Sequence, residues 1–108
     1  DTVRGPDVYF VHADRLKGLN EDEYLNIAPD LCVEVISPTD PWAEVMEKVE
    51  EYLRIGVPLI WLIDAQRRKA YVYGKGRAEQ VIDENGVLSG ENVLPGFELP
   101  LKEIFDLR

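Results

Sequence analysis

Asp30-Leu31-Cys32-Val33-Glu34-Val35-Ile36-Ser37, set between Pro29 and Pro38, decides how the rest of the chain is read. Side chains of an extended strand alternate between two faces, so Leu31, Val33 and Val35 share one side and Cys32, Glu34 and Ile36 the other. Both sides are apolar except at Glu34, which predicts an interior strand over 31–36 covered on both faces. A carboxylate there is costly unless a cation, a metal or several hydrogen-bond donors compensate it. Glu34 therefore needs partners, and the remaining sequence has to supply them.

Downstream, Thr39 or Asp40 offers an N-cap with Pro41 at the first helical position, and Gly56 followed by Pro58 offers a stop. These signals predict a helix over 41–55 whose buried stripe is Trp42, Val45, Met46, Val49, Tyr52 and Leu53. Leu59-Ile60-Trp61-Leu62-Ile63-Asp64 then reads as a second buried strand. Strand, helix and strand of these lengths make a βαβ crossover, with 31–36 and 59–64 parallel. Upstream, Asp7-Val8-Tyr9-Phe10-Val11-His12 reads as a strand of 7–12 with Asp7 at its mouth. Residues 13–29 carry no sustained apolar period and read as a long, mobile connection that lets this strand return antiparallel beside 31–36. Past Asp64, residues 70–73 form a hairpin partner to 59–64, and 79–82 add a short edge strand. Residues 87–88 and 92–94 suggest two further short strands, and Pro100 opens a terminal helical turn over 101–107.

Composition bounds the function. With 108 residues, 45% apolar and 31% charged, the chain reads as one globular domain spanning 1–108. No stretch approaches the roughly 18 apolar residues of a membrane span, and no leader is evident, so a cytoplasmic protein without a membrane partner is expected. The net charge of −9 argues against a broad phosphate-binding surface, yet leaves room for a local site where a metal supplies the positive charge. The only basic cluster, Arg67-Arg68-Lys69, reads as a solvated turn. Cys32 is the single cysteine and reads as a buried thiol, which excludes an intrachain disulfide and a multi-cysteine zinc site. His12 has no second imidazole to join it and reads as a strand-end residue. The chain opens without Met and reads as entered mid-protein, and an incomplete sheet would leave an open edge suited to homo-oligomer formation.

Four carboxylates compete to accompany Glu34. Asp30 shares its face, but four residues along a strand is about 13 Å, too far to chelate one ion. Asp40 is taken as a cap, and turn chemistry explains Asp64. Asp7, at the mouth of an adjacent strand, is the best choice. Asp7, Glu34 and the backbone carbonyl of Val35, completed by waters, suit Mg²⁺ or Mn²⁺, and such an ion serves phosphodiester hydrolysis. Lys48 falls roughly 40° from Tyr52 on the helix, at the flank of the apolar stripe. It can orient a water and stabilise phosphate charge there. Two plainer readings stand beside this one: Lys48 snorkels along the core edge and pairs with Glu44, or Glu34 is satisfied internally by Lys48 or backbone donors as a buried ion pair.

Taken together, Pro6-Asp7, Glu34-Val35-Ile36 and a lysine on the following helix resemble the PD-(D/E)xK nuclease superfamily with its lysine moved from strand to helix. More specifically, Arg4-Gly-Pro-Asp7-Val, 28–38, Lys48 with Tyr52, 56–64 and Leu94-Pro-Gly-Phe97 resemble in order the Uma-type family of restriction endonucleases. Ile36 stands where most superfamily members carry the lysine. The resemblance implies an α/β, restriction-endonuclease-like αβββαβ core with a mixed central sheet. It also implies that an N-terminal helix and first strand are missing here, and that extra β-hairpin strands follow the core. By the same resemblance Asp7 and Glu34 are metal ligands, Lys48 is the catalytic lysine, Mg²⁺ or Mn²⁺ is the cofactor, and nucleic acid, foremost DNA, is the substrate. The alternative is a catalytically inactive binding or assembly module on the same fold.

Overall fold

A computed structural model describes residues 6–106, apart from the side chains of Tyr24 and Leu25. The expectations that involve Arg4 and Gly5 lie outside the described residues. The chain runs β1 (Val8–Phe10), α1 (Ala13–Leu16), α2 (Glu21–Asn26), β2 (Leu31–Ile36), α3 (Trp42–Arg54), β3 (Leu59–Asp64), β4 (Lys69–Tyr73), β5 (Gln80–Asp83), β6 (Val87–Ser89), β7 (Glu98–Pro100) and α4 (Leu101–Phe105).

Five strands form one mixed sheet in the order β1-β2-β3-β4-β5. The crossover through α3 makes β2 and β3 parallel, pairing Glu34 with Leu62 and Ile36 with Asp64. The other pairs are antiparallel, including the expected return of β1 beside β2 with Val8 facing Val33. Period-two alternation sorts the core into two layers. On one face of the sheet Cys32, Ile60, Leu62 and Tyr73 pack with Val45, Val49 and Tyr52 of α3. On the other, Leu31, Trp61, Ile63 and Val72 pack with Leu88, Leu101 and Phe105, which belong to the separate β6-β7 hairpin and to α4. Glu34 lies on the α3 face.

The end of α3 explains how the chain turns back into β3. Gly56 adopts φ +90°, and its N–H donates to the Leu53 carbonyl while Val57 N–H donates to that of Tyr52. This is a Schellman closure, which satisfies the last carbonyls and needs a residue free to go left-handed.

Several expectations are corrected. The first strand covers 8–10 instead of 7–12. The connection 13–29 holds two short helices; the second is nucleated by a capping box in which Asn20 and Glu23 exchange side-chain to backbone hydrogen bonds. Neither Thr39 nor Asp40 caps α3: Pro41 occupies that position without a side-chain bond, and Asp40 Oδ2 instead accepts from Ser37 N–H. Residues 92–94 form a turn, with Val93 and Leu94 N–H both donating to the Gly90 carbonyl, and the partner of β6 is 98–100. Trp42, assigned to the buried stripe, is 45% exposed. Arg67-Arg68-Lys69 is more than a solvated turn: Arg67 pairs with Asp64, Arg68 with Glu84 and Asp106, and Lys69 begins β4.

Candidate metal and phosphate site

Burial makes Glu34 and Asp64 the two buried charged side chains among the described residues. Asp64, 1% exposed, is explained by its turn, since Oδ1 accepts from Arg67 N–H and Oδ2 from the Arg67 guanidinium. Glu34, 5% exposed, is held from α3. Lys48 Nζ donates to Oε1 at 2.8 Å and Tyr52 Oη donates to Oε2 at 2.6 Å. Lys48 and Tyr52 are one helical turn apart, so the same face of α3 delivers both donors to the two oxygens of one carboxylate. Of the two plainer readings, the buried ion pair of Lys48 with Glu34 is the one seen.

Sequence reading places the tyrosine in the apolar stripe and, beside Lys48, in the family resemblance, but assigns its hydroxyl no partner. Its phenol is pushed well above the ordinary tyrosine range by burial, by the hydrogen bond to Glu34, and by the charges of Glu34, Cys32 and Asp7. It stays a protonated donor across ordinary pH. Cys32, one residue pair away on the same face, is pushed up to about 12 by burial and then by Glu34; its thiol is a packing group and not a nucleophile.

Asp7 reaches the site from just ahead of β1, whose first residue, Val8, pairs with Val33 beside Glu34. Its Oδ2 accepts from Val35 N–H at 2.7 Å, which pins the carboxylate to the edge of β2. Asp30 is used elsewhere, accepting from His12 N–H and from Arg15. His12, read from sequence as a strand-end residue, stands two residues past β1 at the N-cap of α1.

Whether these residues suit a divalent ion is testable on their chemistry. Among the described residues no three His, Cys, Asp or Glu converge into a ready cage. Mg²⁺, however, keeps several waters and is bound through one or two carboxylates together with substrate phosphates. Asp7 Oδ1 accepts no hydrogen bond among the described residues, and each oxygen of Glu34 accepts one and retains capacity for another. Beside Glu34 lies a cavity of about 50 Å³, lined by Val35, Asp40, Glu44 and Lys48 among others, and a water needs about 10–15 Å³ of such space. The residues therefore fit a sparsely ligated hard cation. Sequence reading assigns Asp40 to a cap and Glu44 to a pairing with Lys48; their place in this wall depends on how α3 crosses β2, which periodicity does not encode.

Comparison with known proteins agrees with this architecture. A crystal structure of a "putative nuclease belonging to DUF820" from Anabaena variabilis ATCC 29413 superposes with a TM-score of 0.67 at 25% identity. The superposition covers 74% of this chain and 45% of that one, so this chain spans less than half the length of that nuclease. No curated protein matches the sequence. The model of the Uma2 family, described as "Putative restriction endonuclease", matches residues 1–102, and the chain belongs to that family.

Proposed function

We propose that the chain carries the site of a Mg²⁺- or Mn²⁺-dependent endonuclease that hydrolyses phosphodiester bonds in nucleic acid, with DNA as the foremost substrate. In this reading Asp7, Glu34 and the Val35 carbonyl hold the ion and Lys48 is the catalytic lysine. The observation that carries it is the buried Glu34 carboxylate, with an ammonium on one oxygen, a phenol on the other and the Asp7 carboxylate bonded to the next residue of β2. The N–H and C=O of one strand residue point to the same edge, so the Val35 carbonyl shares the side on which Asp7 accepts from Val35 N–H.

When bound, such an ion polarises a phosphate oxygen and acidifies a water. The chain's own groups supply the rest. Tyr52 fixes the rotamer of Glu34 and keeps its second oxygen oriented. Lys48 presents a cation beside Glu34, where it neutralises charge developing on a phosphate and orients the attacking water. Family membership and the nuclease neighbour support the same reaction class.

Full-length protein incubated with DNA and Mg²⁺ tests this reading. Cleavage should fall at least 100-fold in Glu34→Ala and vanish on chelation; equal traces in wild type and Glu34→Ala would remove the enzyme reading. A second reading, a non-catalytic binding module, draws on the fact that both Glu34 oxygens already have internal donors. It predicts that no divalent ion raises the melting temperature.

A further inference from the structure

A cleft of about 350 Å³ opens where the two parallel strands end, lined by Ile36, Pro38, Trp42, Asp64, Arg67 and Tyr71 among others. Ligands of open α/β sheets favour this position, outside the carboxyl ends of the strands, and the volume lies within the range of small-ligand pockets, about 300–1,000 Å³. The cleft adjoins the Glu34 cavity, since Ile36 and Asp40 line both. From Glu34 to Ile36 is two residues along β2, about 7 Å.

Its wall combines an aromatic platform with a cation. Trp42 is 45% exposed, and its ring meets Tyr71 edge-on at 5.5 Å between centroids. Tyr71 is held in turn by Lys69, whose Nζ lies 5.5 Å from the ring centre. Arg67 has a side chain 66% exposed and anchored through Nη1 to the buried Asp64. Its Nε and Nη2 donate to nothing among the described residues, which leaves a preoriented pair of donors for a phosphate. A chain of net charge −9 cannot hold a polyanion by broad electrostatics. Stacking on an exposed tryptophan needs no such field, and it requires a base whose π-face is free.

We infer that this cleft binds an unpaired nucleotide next to the scissile phosphate, its base stacked on Trp42 and its phosphate on Arg67, so that the preferred substrate is a single strand. The inference rests on the nuclease reading above and adds the class of nucleic acid to it.

The test is fluorescence anisotropy of labelled oligothymidylate and of a blunt duplex, titrated with full-length protein in chelator so that nothing is cut. Single-strand affinity should exceed duplex affinity and drop about 5- to 100-fold in Trp42→Ala, the range that one stacked base supports. Trp42→Phe should restore most of it. Arg67→Ala should reduce the slope of log K against log salt by about 0.7, as expected for one phosphate on a single strand. Duplex binding equal to or tighter than single-strand binding overturns the inference. So does unchanged single-strand affinity in Trp42→Ala with an unaltered melting curve. Cleavage assays separate the two claims: Glu34-dependent cleavage without Trp42-dependent binding sinks only the stacking site. Trp42-dependent binding without Glu34-dependent cleavage sinks only the nuclease reading.

Discussion

Glu34 is tolerated in an apolar strand because α3 brings it two donors, and the energetics of those contacts are separable. Tyr52→Phe removes a hydrogen bond to a charged acceptor and leaves Oε2 of a nearly buried carboxylate without a donor. We expect a loss of about 1.5–3 kcal/mol, measured as a lowered urea midpoint at unchanged m-value. Cys32 gives a pH signature. Burial, and then Glu34, push its native thiol up to about 12 from the ordinary 9.0, so between these values the unfolded chain releases a proton that the folded one retains. Stability is then complete below pH 9 and falls as pH rises toward 12, by up to about 1.4 kcal/mol per pH unit for the single group. Cys32→Ala should flatten that alkaline limb in chemical denaturation curves, leaving the part due to Tyr52 and Tyr73, whose phenols are raised in the same direction. At this scale the sequence announced the misfit at Glu34 plainly. It did not announce the tyrosine, whose hydroxyl is invisible to an apolar-stripe argument although its spacing of four from Lys48 was a usable signal.

The elements that were legible are those with long, uninterrupted patterns. Residues 31–36 and 59–64 occupy strands with those same bounds, and the helix expected over 41–55 covers 42–54. Short elements were not legible. The four residues of α1 are too few for a period, and α2 depended on noticing Asn20-Glu-Asp-Glu23 as a capping box. The strand 98–100 ends on proline at a hairpin margin, where pairing with β6 and not residue preference decides the conformation. Stop signals were more dependable, as Gly56 shows. A Cβ there would meet no atom within 4 Å, so only the backbone conformation at φ +90° resists substitution. Gly56→Ala should cost about 1–2 kcal/mol, read as a lower melting temperature with the far-ultraviolet spectrum unchanged.

At the scale of the whole molecule, one mixed sheet divides two jobs. The face under the β6-β7 hairpin and α4 is a closed hydrocarbon layer, while the α3 face holds the charged site and the cleft beyond it. The topology brings together residues 7, 34, 48 and 52, which no local window of sequence joins. That is why the acids and the lysine could be nominated from strand and helix patterns, while the Tyr52 bond to Glu34 and the Asp7 bond to Val35 had to be read from the fold. The central claim is that Asp7 and Glu34 jointly hold one divalent ion, and titration of full-length protein with Mn²⁺, followed by the loss of the free-ion electron paramagnetic resonance signal, measures it directly. The account predicts one site in the wild type, weakened at least tenfold in both Asp7→Asn and Glu34→Gln. Wild-type protein that takes up no Mn²⁺, or variants that bind it with wild-type stoichiometry and affinity, would contradict it.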